Sequence, residues 1–180
     1  IGLEISKYLD SIGYEIILVA RDKEKLESVA KTLTHKPKII VMDLQQVEDI
    51  KSLYVLVKND DIDILVNNAG FGLFGNFTET DLSKELNMID INIKAVHILT
   101  KLFLKDMKRK NKGYILNVAS SAAFQSGPLM ATYYSTKSYV YRLTEAINYE
   151  NKKDKVNVQV SCLCPGPVDT NFNKVAGVRF

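Results

Sequence analysis

The sequence has no tryptophan, two cysteines, two histidines and four prolines among its 180 residues, and each scarcity removes a class of protein. Cys162 and Cys164 alternate on an apolar run, which points both to one face of a strand. They are too few and too close along the chain for an ordinary disulfide framework, so a reducing cytoplasm is the simplest setting. His35 and His97 lie far apart, and neither has a second ligand at a metal-binding spacing, so packing or surface roles are expected and no metal is assigned. Apolar runs are short: Ile62 to Val66 is broken by Asp63, far below the roughly 20 residues that span a bilayer, which excludes a membrane-crossing helix. The opening residue is Ile1 rather than Met, and no basic region followed by an apolar stretch begins the chain. That reads as a truncated start, not a signal peptide.

Excess charge is also lacking, with a net value of only +3. The one basic stretch, Lys101 to Lys112, carries Leu102, Phe103, Leu104 and Met107 at helical spacing. Its lysines are therefore the solvated side and last turn of a helix, and no nucleic-acid partner is implied.

The chain does have enough apolar residues, 46%, to bury a core, and 25% charged residues to cover it. Runs rich in Ile and Val alternate with longer segments of helical period, which is the pattern of repeated βα units. Strands are expected at Glu15 to Ala20, Lys38 to Met42, Ile62 to Val66, Gly113 to Ala119 and Val156 to Leu163. Helices are expected at Leu3 to Ser11, Lys23 to Leu33, Val47 to Lys58, Leu82 to Lys110 and Thr132 to Asn151. Strands apolar on both faces indicate an α/β, doubly wound parallel sheet with helices on both sides. No repeat, linker or low-complexity tract divides residues 1–180, so one domain is the parsimonious count. The first helix has apolar positions Leu3, Ile5 and Ile12 but no strand before it. A central strand, whose turn would bring pyrophosphate to a helix N-terminus, is expected to be missing, with Gly2 as the last glycine of that turn. The C-terminal strand is expected to be missing too.

The most informative segment is Ala119 to Val140. Tyr133 and Lys137 stand four apart at the opening of a helix, which places both on one face with Cβ atoms within about 6 Å. A tyrosine titrates near 10, so bringing it close to neutrality requires about 3–4 kcal/mol of local electrostatics, and a desolvated ammonium with neighbouring dipoles can supply that. Ser120 closes an apolar strand thirteen residues before Tyr133, at the carboxyl end where open α/β sheets place ligands, while Ser121 points to the opposite side. Phe124, Gln125, Leu129 and Met130 between them are expected to border a partly apolar pocket.

Asn67-Asn68-Ala69-Gly70 after a strand, Asn92, Ser120, Tyr133 with Lys137, and Pro165-Gly166 together resemble the ordered motifs of the short-chain dehydrogenases/reductases, in their compact NAD(P)-dependent branch. The resemblance runs the length of the chain. It implies hydride transfer between a nicotinamide and a carbonyl or secondary alcohol, with Tyr133 as general acid and base. It further implies that Lys137 depresses the Tyr133 pKa and binds the nicotinamide ribose. Ser120 would orient the substrate oxygen, and Asn92 would hold a water that links Lys137 to solvent. Asn67, Ala69 and Gly70 would pass close to the adenosine half, where glycine permits a backbone approach. Asp43, with Leu44, would contact adenine; Thr170 would bind the carboxamide together with the Val168 backbone, in the segment that Pro165 and Gly166 open. A homodimer or homotetramer follows by the same analogy.

Cofactor choice is read after the second strand of such a fold. There the sequence has Ala20-Arg21-Asp22: Arg21 suits a 2′-phosphate, and Asp22 suits the cap of the helix that follows, so NADP is favoured over NAD. Two other readings stay open, a non-catalytic nucleotide-binding or interaction protein and an inactive fragment of such an enzyme.

Overall fold

The computed structural model describes residues 1–168, 172, 176 and 177. Along the chain it has α1 (Gly2–Ser11), β1 (Ile17–Ala20), α2 (Lys23–Ala30), β2 (Lys38–Val41), α3 (Val47–Val57), β3 (Ile64–Asn67), α4 (Leu82–Ile89), α5 (Val96–Lys110), β4 (Gly113–Val118), α6 (Ala131–Lys153) and β5 (Val158–Leu163). A π-helical turn, Asp90–Ala95, joins α4 to α5, so the single helix expected from Leu82 to Lys110 is two helices around a wider turn. The remaining elements match the expected ones within three residues at each end.

All strand pairs are parallel: β1 with β2, β3 with β4, and β4 with β5. Among the described residues no ladder joins β1 to β3, so the strands form a two-stranded and a three-stranded sheet. This is the expected α/β architecture of parallel strands and helices. Because the strands are parallel, their carboxyl ends lie on one edge, and that edge carries Arg21, Asp43, Asn68 to Gly70, Ser120 and Pro165.

The main core packs Ile40 of β2, Ile50, Leu53 and Val57 of α3, Leu99, Phe103 and Met107 of α5, Ile115 of β4, and Val158 and Val160 of β5. Each such side chain contributes about 1.5–3 kcal/mol on full burial. Ile17 and Val19 join that core, whereas Leu18, of the opposite parity, is buried on the face where α2 packs on β1. Helices thus cover both sides at β1. In the three-stranded sheet the coverage is unequal: Ile115 and Val160 are 1% exposed, yet Tyr114 is 50% and Leu163 39% exposed on the other parity.

Local stops have visible causes. Asn111 ends α5 in the left-handed region at φ 50°, and Gly113 follows at φ +150°, where a Cβ would stand 2.5 Å from Met107 Cγ. The basic face of α5 is matched by acids: Lys108 pairs with Asp154, Arg109 with Asp106, and Lys110 with Asp61, while Lys112 after the helix pairs with Asp63. That supports a solvated helical face.

Asp10 near the end of α1 is buried and ties down the segment after α2. It accepts from Thr34 N at 2.6 Å, His35 N at 3.1 Å and the His35 ring at 2.9 Å. Burial alone would raise its pKa, but these donors outweigh it and hold the carboxyl at about 2. An unfolded aspartate titrates near ~3.9, so this contribution is complete above that pH and is lost as pH falls through about 2. Asp10→Asn is expected to lower the urea midpoint at pH 7 and to flatten the decline in stability between roughly pH 4 and pH 2; equal acid limbs in both proteins would contradict the assignment.

Candidate active site

Asn92 sits in the π turn with 1% of its surface exposed. A π turn lets one residue project where regular helix geometry would not, and such turns recur at functional sites. The Asn92 carboxamide is fully engaged: Oδ1 accepts from Phe71 N at 3.1 Å, and Nδ2 donates to Phe71 O at 2.9 Å and to Thr136 Oγ1 at 3.0 Å. It therefore fastens the loop after β3 to α6 one residue before Lys137. Gly70 lies in this junction, and a Cβ there would stand 2.8 Å from Asn92 Oδ1 and 3.5 Å from Lys137 Nζ.

Tyr133 and Lys137, one turn apart on α6, are both buried. Lys137 Nζ donates to Val118 O at 2.9 Å and lies 5.8 Å from the Tyr133 ring centroid. Burial pulls the Lys137 ammonium down to about 8, partly countered by the nearby sulfurs of Cys162 and Cys164. Burial likewise raises the Tyr133 phenol; the Ser120 hydroxyl lowers it and Tyr134 raises it further. The sequence reading has Lys137 depressing Tyr133. In the structure desolvation wins, Lys137 faces a carbonyl, and Ser120 is the group that acts against the rise.

Ser120 follows β4 with extended backbone and opens a short 3₁₀ turn, Ser121–Phe124, accepting from Ala122 N at 3.2 Å. Its hydroxyl also reaches Pro165 O at 3.5 Å, and that carbonyl accepts from Ser121 N at 2.9 Å. Pro165 thus braces the serine from the end of β5, while Gly166 and Val168 beyond it are exposed. Thr170 lies outside the described residues.

Around the phenol is an apolar wall. Met88, Ala122, Phe71, Leu73 and Met130 pack with Tyr133, and the Phe172 ring lies 5.0 Å from it. Leu129 and Met130 line a shallow adjoining cleft with Leu73, Phe77, Glu85 and Met88. Leu129 and Met130 border this cleft. Phe124 does not: it packs edge-on against Tyr141 at 4.8 Å, and Gln125 is exposed. The reason is the 3₁₀ turn, which sends residue 124 over α6. Phe172, Phe71 and Met88 were not legible as neighbours of Tyr133, since nothing in their local pattern marks them.

The cofactor-side positions divide. Gly2, at the first turn of α1, faces Asn68: a Cβ on it would stand 2.6 Å from Asn68 Nδ2. Ala69 and Gly70 are exposed, whereas Asn67 is buried, its Nδ2 donating to Asn117 Oδ1 at 2.8 Å and Thr100 Oγ1 at 3.1 Å. Asn117 Nδ2 continues to Thr144 Oγ1 at 2.9 Å. This buried chain ties β3, β4, α5 and α6 together and occupies the Asn67 side-chain amide nitrogen. Asp43 is half-buried and accepts from Gln45 N at 3.1 Å to form the turn into α3. Leu44 packs against the main core. Asp22 accepts from Lys25 N at 3.0 Å as the cap of α2. Arg21 stands exposed, and among the described residues it has no acidic partner.

Gly70→Ala is expected to cost about 1–3 kcal/mol, because the engaged Asn92 cannot yield to the new methyl. Urea denaturation reads this, and an unchanged midpoint would contradict the close approach.

Residues 1–177 match the short chain dehydrogenase family. An uncharacterized oxidoreductase of Staphylococcus saprophyticus is 32% identical over 176 residues, covering 94% of this chain and 74% of that protein. Among solved structures, a short-chain dehydrogenase from Sphingobium yanoikuyae in complex with NADPH superposes with a TM-score of 0.91 at 24% identity, over 99% of this chain and 71% of that one. An alcohol dehydrogenase from the archaeon Thermococcus sibiricus complexed with 5-hydroxy-NADP gives a TM-score of 0.82 at 30% identity, over 95% and 73%. A short-chain dehydrogenase/reductase from Burkholderia phymatum in complex with NAD gives 0.90 at 25%, over 99% and 66%. With the Tyr133, Lys137, Ser120 and Asn92 cluster at the carboxyl edge of a parallel sheet, the chain belongs to the short-chain dehydrogenase family of oxidoreductases.

Proposed function

We propose that the chain catalyses NADP(H)-dependent reduction of a carbonyl, or the reverse oxidation of a secondary alcohol, with Tyr133 as general acid and base. The observation that carries this reading is the buried Tyr133 phenol beside the Ser120 hydroxyl, walled by Met88, Ala122, Phe71, Leu73 and Met130. A nicotinamide cofactor supplies the hydride. The chain's own groups supply position and a proton.

Burial that raises the phenol keeps it protonated at neutral pH, which suits proton donation to a substrate oxygen. Ser120, braced on Pro165, is placed to hold that oxygen. Lys137 uses one of its three N–H donors on Val118 O, and the remaining donors suit ribose hydroxyls. The residues fit a dinucleotide at the same edge. Gly70 leaves no room for a side chain beside Asn92, and Gly2 leaves none beside Asn68. Ala69 and the Asn67 backbone continue that edge, while Asp43 stands at the end of β2. Pro165, Gly166, Val168 and Thr170 belong to the segment that would close over the nicotinamide. Arg21, unpaired while Asp22 caps α2, favours a 2′-phosphate and hence NADP over NAD. The 5-hydroxy-NADP complex of the archaeal relative supports a nicotinamide cofactor of this kind, and the NAD complex of the Burkholderia protein is the alternative. We extend the proposal to a soluble cytoplasmic homodimer or homotetramer of single-domain chains acting on a small molecule. No described helix is long and apolar enough to cross a membrane.

Tyr133→Phe tests the reading. Carbonyl reduction should fall by on the order of 10²–10⁴-fold, NADPH should still bind by fluorescence titration, and the wild type should show a lower KM for NADPH than for NADH. Retained turnover in the variant would remove the proposed acid.

A further inference from the structure

Cys162 and Cys164 take no part in the proposed chemistry, yet their sulfurs lie 3.8 Å apart. Both are half-buried, between β5 and α6, among Val96, Ala119, Val140 and Tyr141. Cys162 is held in the ladder opposite Asn117, while Cys164 lies one residue past the last ladder position, Leu163. One thiol is therefore fixed and the other stands on chain that can adjust. The next residue is Pro165, whose carbonyl holds Ser121 N and reaches the Ser120 hydroxyl. Leu163 between the two cysteines is pinned by Ala119 N at 2.8 Å.

We propose that Cys162 and Cys164 are a modification site: a dithiol that a small-molecule disulfide converts reversibly to an intrachain disulfide, and whose closure disturbs Ser120 through Pro165. The Cys164 thiolate attacks one sulfur of the small disulfide, forms a mixed disulfide and releases one thiolate. The Cys162 sulfur, deprotonated, then attacks the Cys164 sulfur and expels the second thiolate. The protein gives up two electrons and two protons, and the small disulfide becomes two thiols. The order follows from the surroundings. Cys164, past the last ladder position, is the attacking group, and Cys162, held in the ladder with its thiol pushed up by burial, is the resolving one. Two positions apart, an extended chain spans roughly 6.4–6.8 Å between Cα atoms. That is the upper end of the ~4.4–6.8 Å a disulfide accepts. Closure must draw in the backbone, and the segment free to move is the Cys164–Pro165 link that braces Ser120. The effect on turnover rests on the proposed function; formation of the bond does not.

The test is incubation of the 180-residue chain with oxidised glutathione, followed by alkylation and intact mass, with Cys162→Ser and Cys164→Ser alongside. The wild type should lose about 2 Da, the two thiol hydrogens, and become refractory to alkylation until dithiothreitol is added. Cys162→Ser should stop at one glutathione adduct, and Cys164→Ser should react little. A stable single adduct on the wild type, or two free thiols after exposure, would overturn the site. Where the wild type turns over a carbonyl, closure should lower the rate on the order of tenfold and reduction should restore it. A closed disulfide with unaltered turnover would overturn the link to Ser120. A chain without turnover before oxidation would count against the proposed function alone, since the mass reading is independent of it.

Discussion

The site depends on one side chain, the carboxamide of Asn92. It closes the Phe71 backbone in two hydrogen bonds and Thr136 in a third, so the loop after β3 and the helix that bears Tyr133 and Lys137 are fixed to each other. Asn92 and Thr136 are each 1% exposed, so removing the carboxamide costs about 1–3 kcal/mol for each buried group left unsatisfied. The π turn exists on the same account: it turns Asn92 inward in the middle of a long helical stretch. Gly70 then follows as a requirement, because no Cβ fits between that carboxamide and the Lys137 ammonium.

Around this clamp, desolvation sets the chemistry. The same burial raises the Tyr133 phenol and lowers the Lys137 ammonium, so each group moves toward its neutral form. A neutral phenol suits the proton donation proposed for Tyr133. The sequence argument, built on four-residue spacing, captured which two residues meet but not that a carbonyl, Val118 O, would take the ammonium or that Ser120 would be the phenol's closest counterweight.

Elements whose signal is local were legible. Alternating Ile and Val runs marked the five described strands; Asp22 read as a helix cap; the lysines of α5 read as a solvated face, and Lys108 and Lys110 in its last turn pair with acids. What escaped was whatever is decided between distant segments. The Asn67–Asn117–Thr144 chain joins residues 27 and 50 apart, and no local pattern distinguishes such residues from surface polar ones. Leu44 carries its weight in the core, the π turn has no sequence signature, and Phe124 turned away because a 3₁₀ turn intervened. Phe172 reached Tyr133 across the length of α6 and β5.

Amide hydrogen exchange at Phe71 tests the clamp most directly, measured in the wild type and in Asn92→Ala with the amides of β3 as internal reference. The account predicts that the Phe71 amide, protected by Asn92 Oδ1, exchanges markedly faster in the variant while β3 stays protected. Unchanged exchange at Phe71, or an equal loss of protection throughout β3, would contradict it.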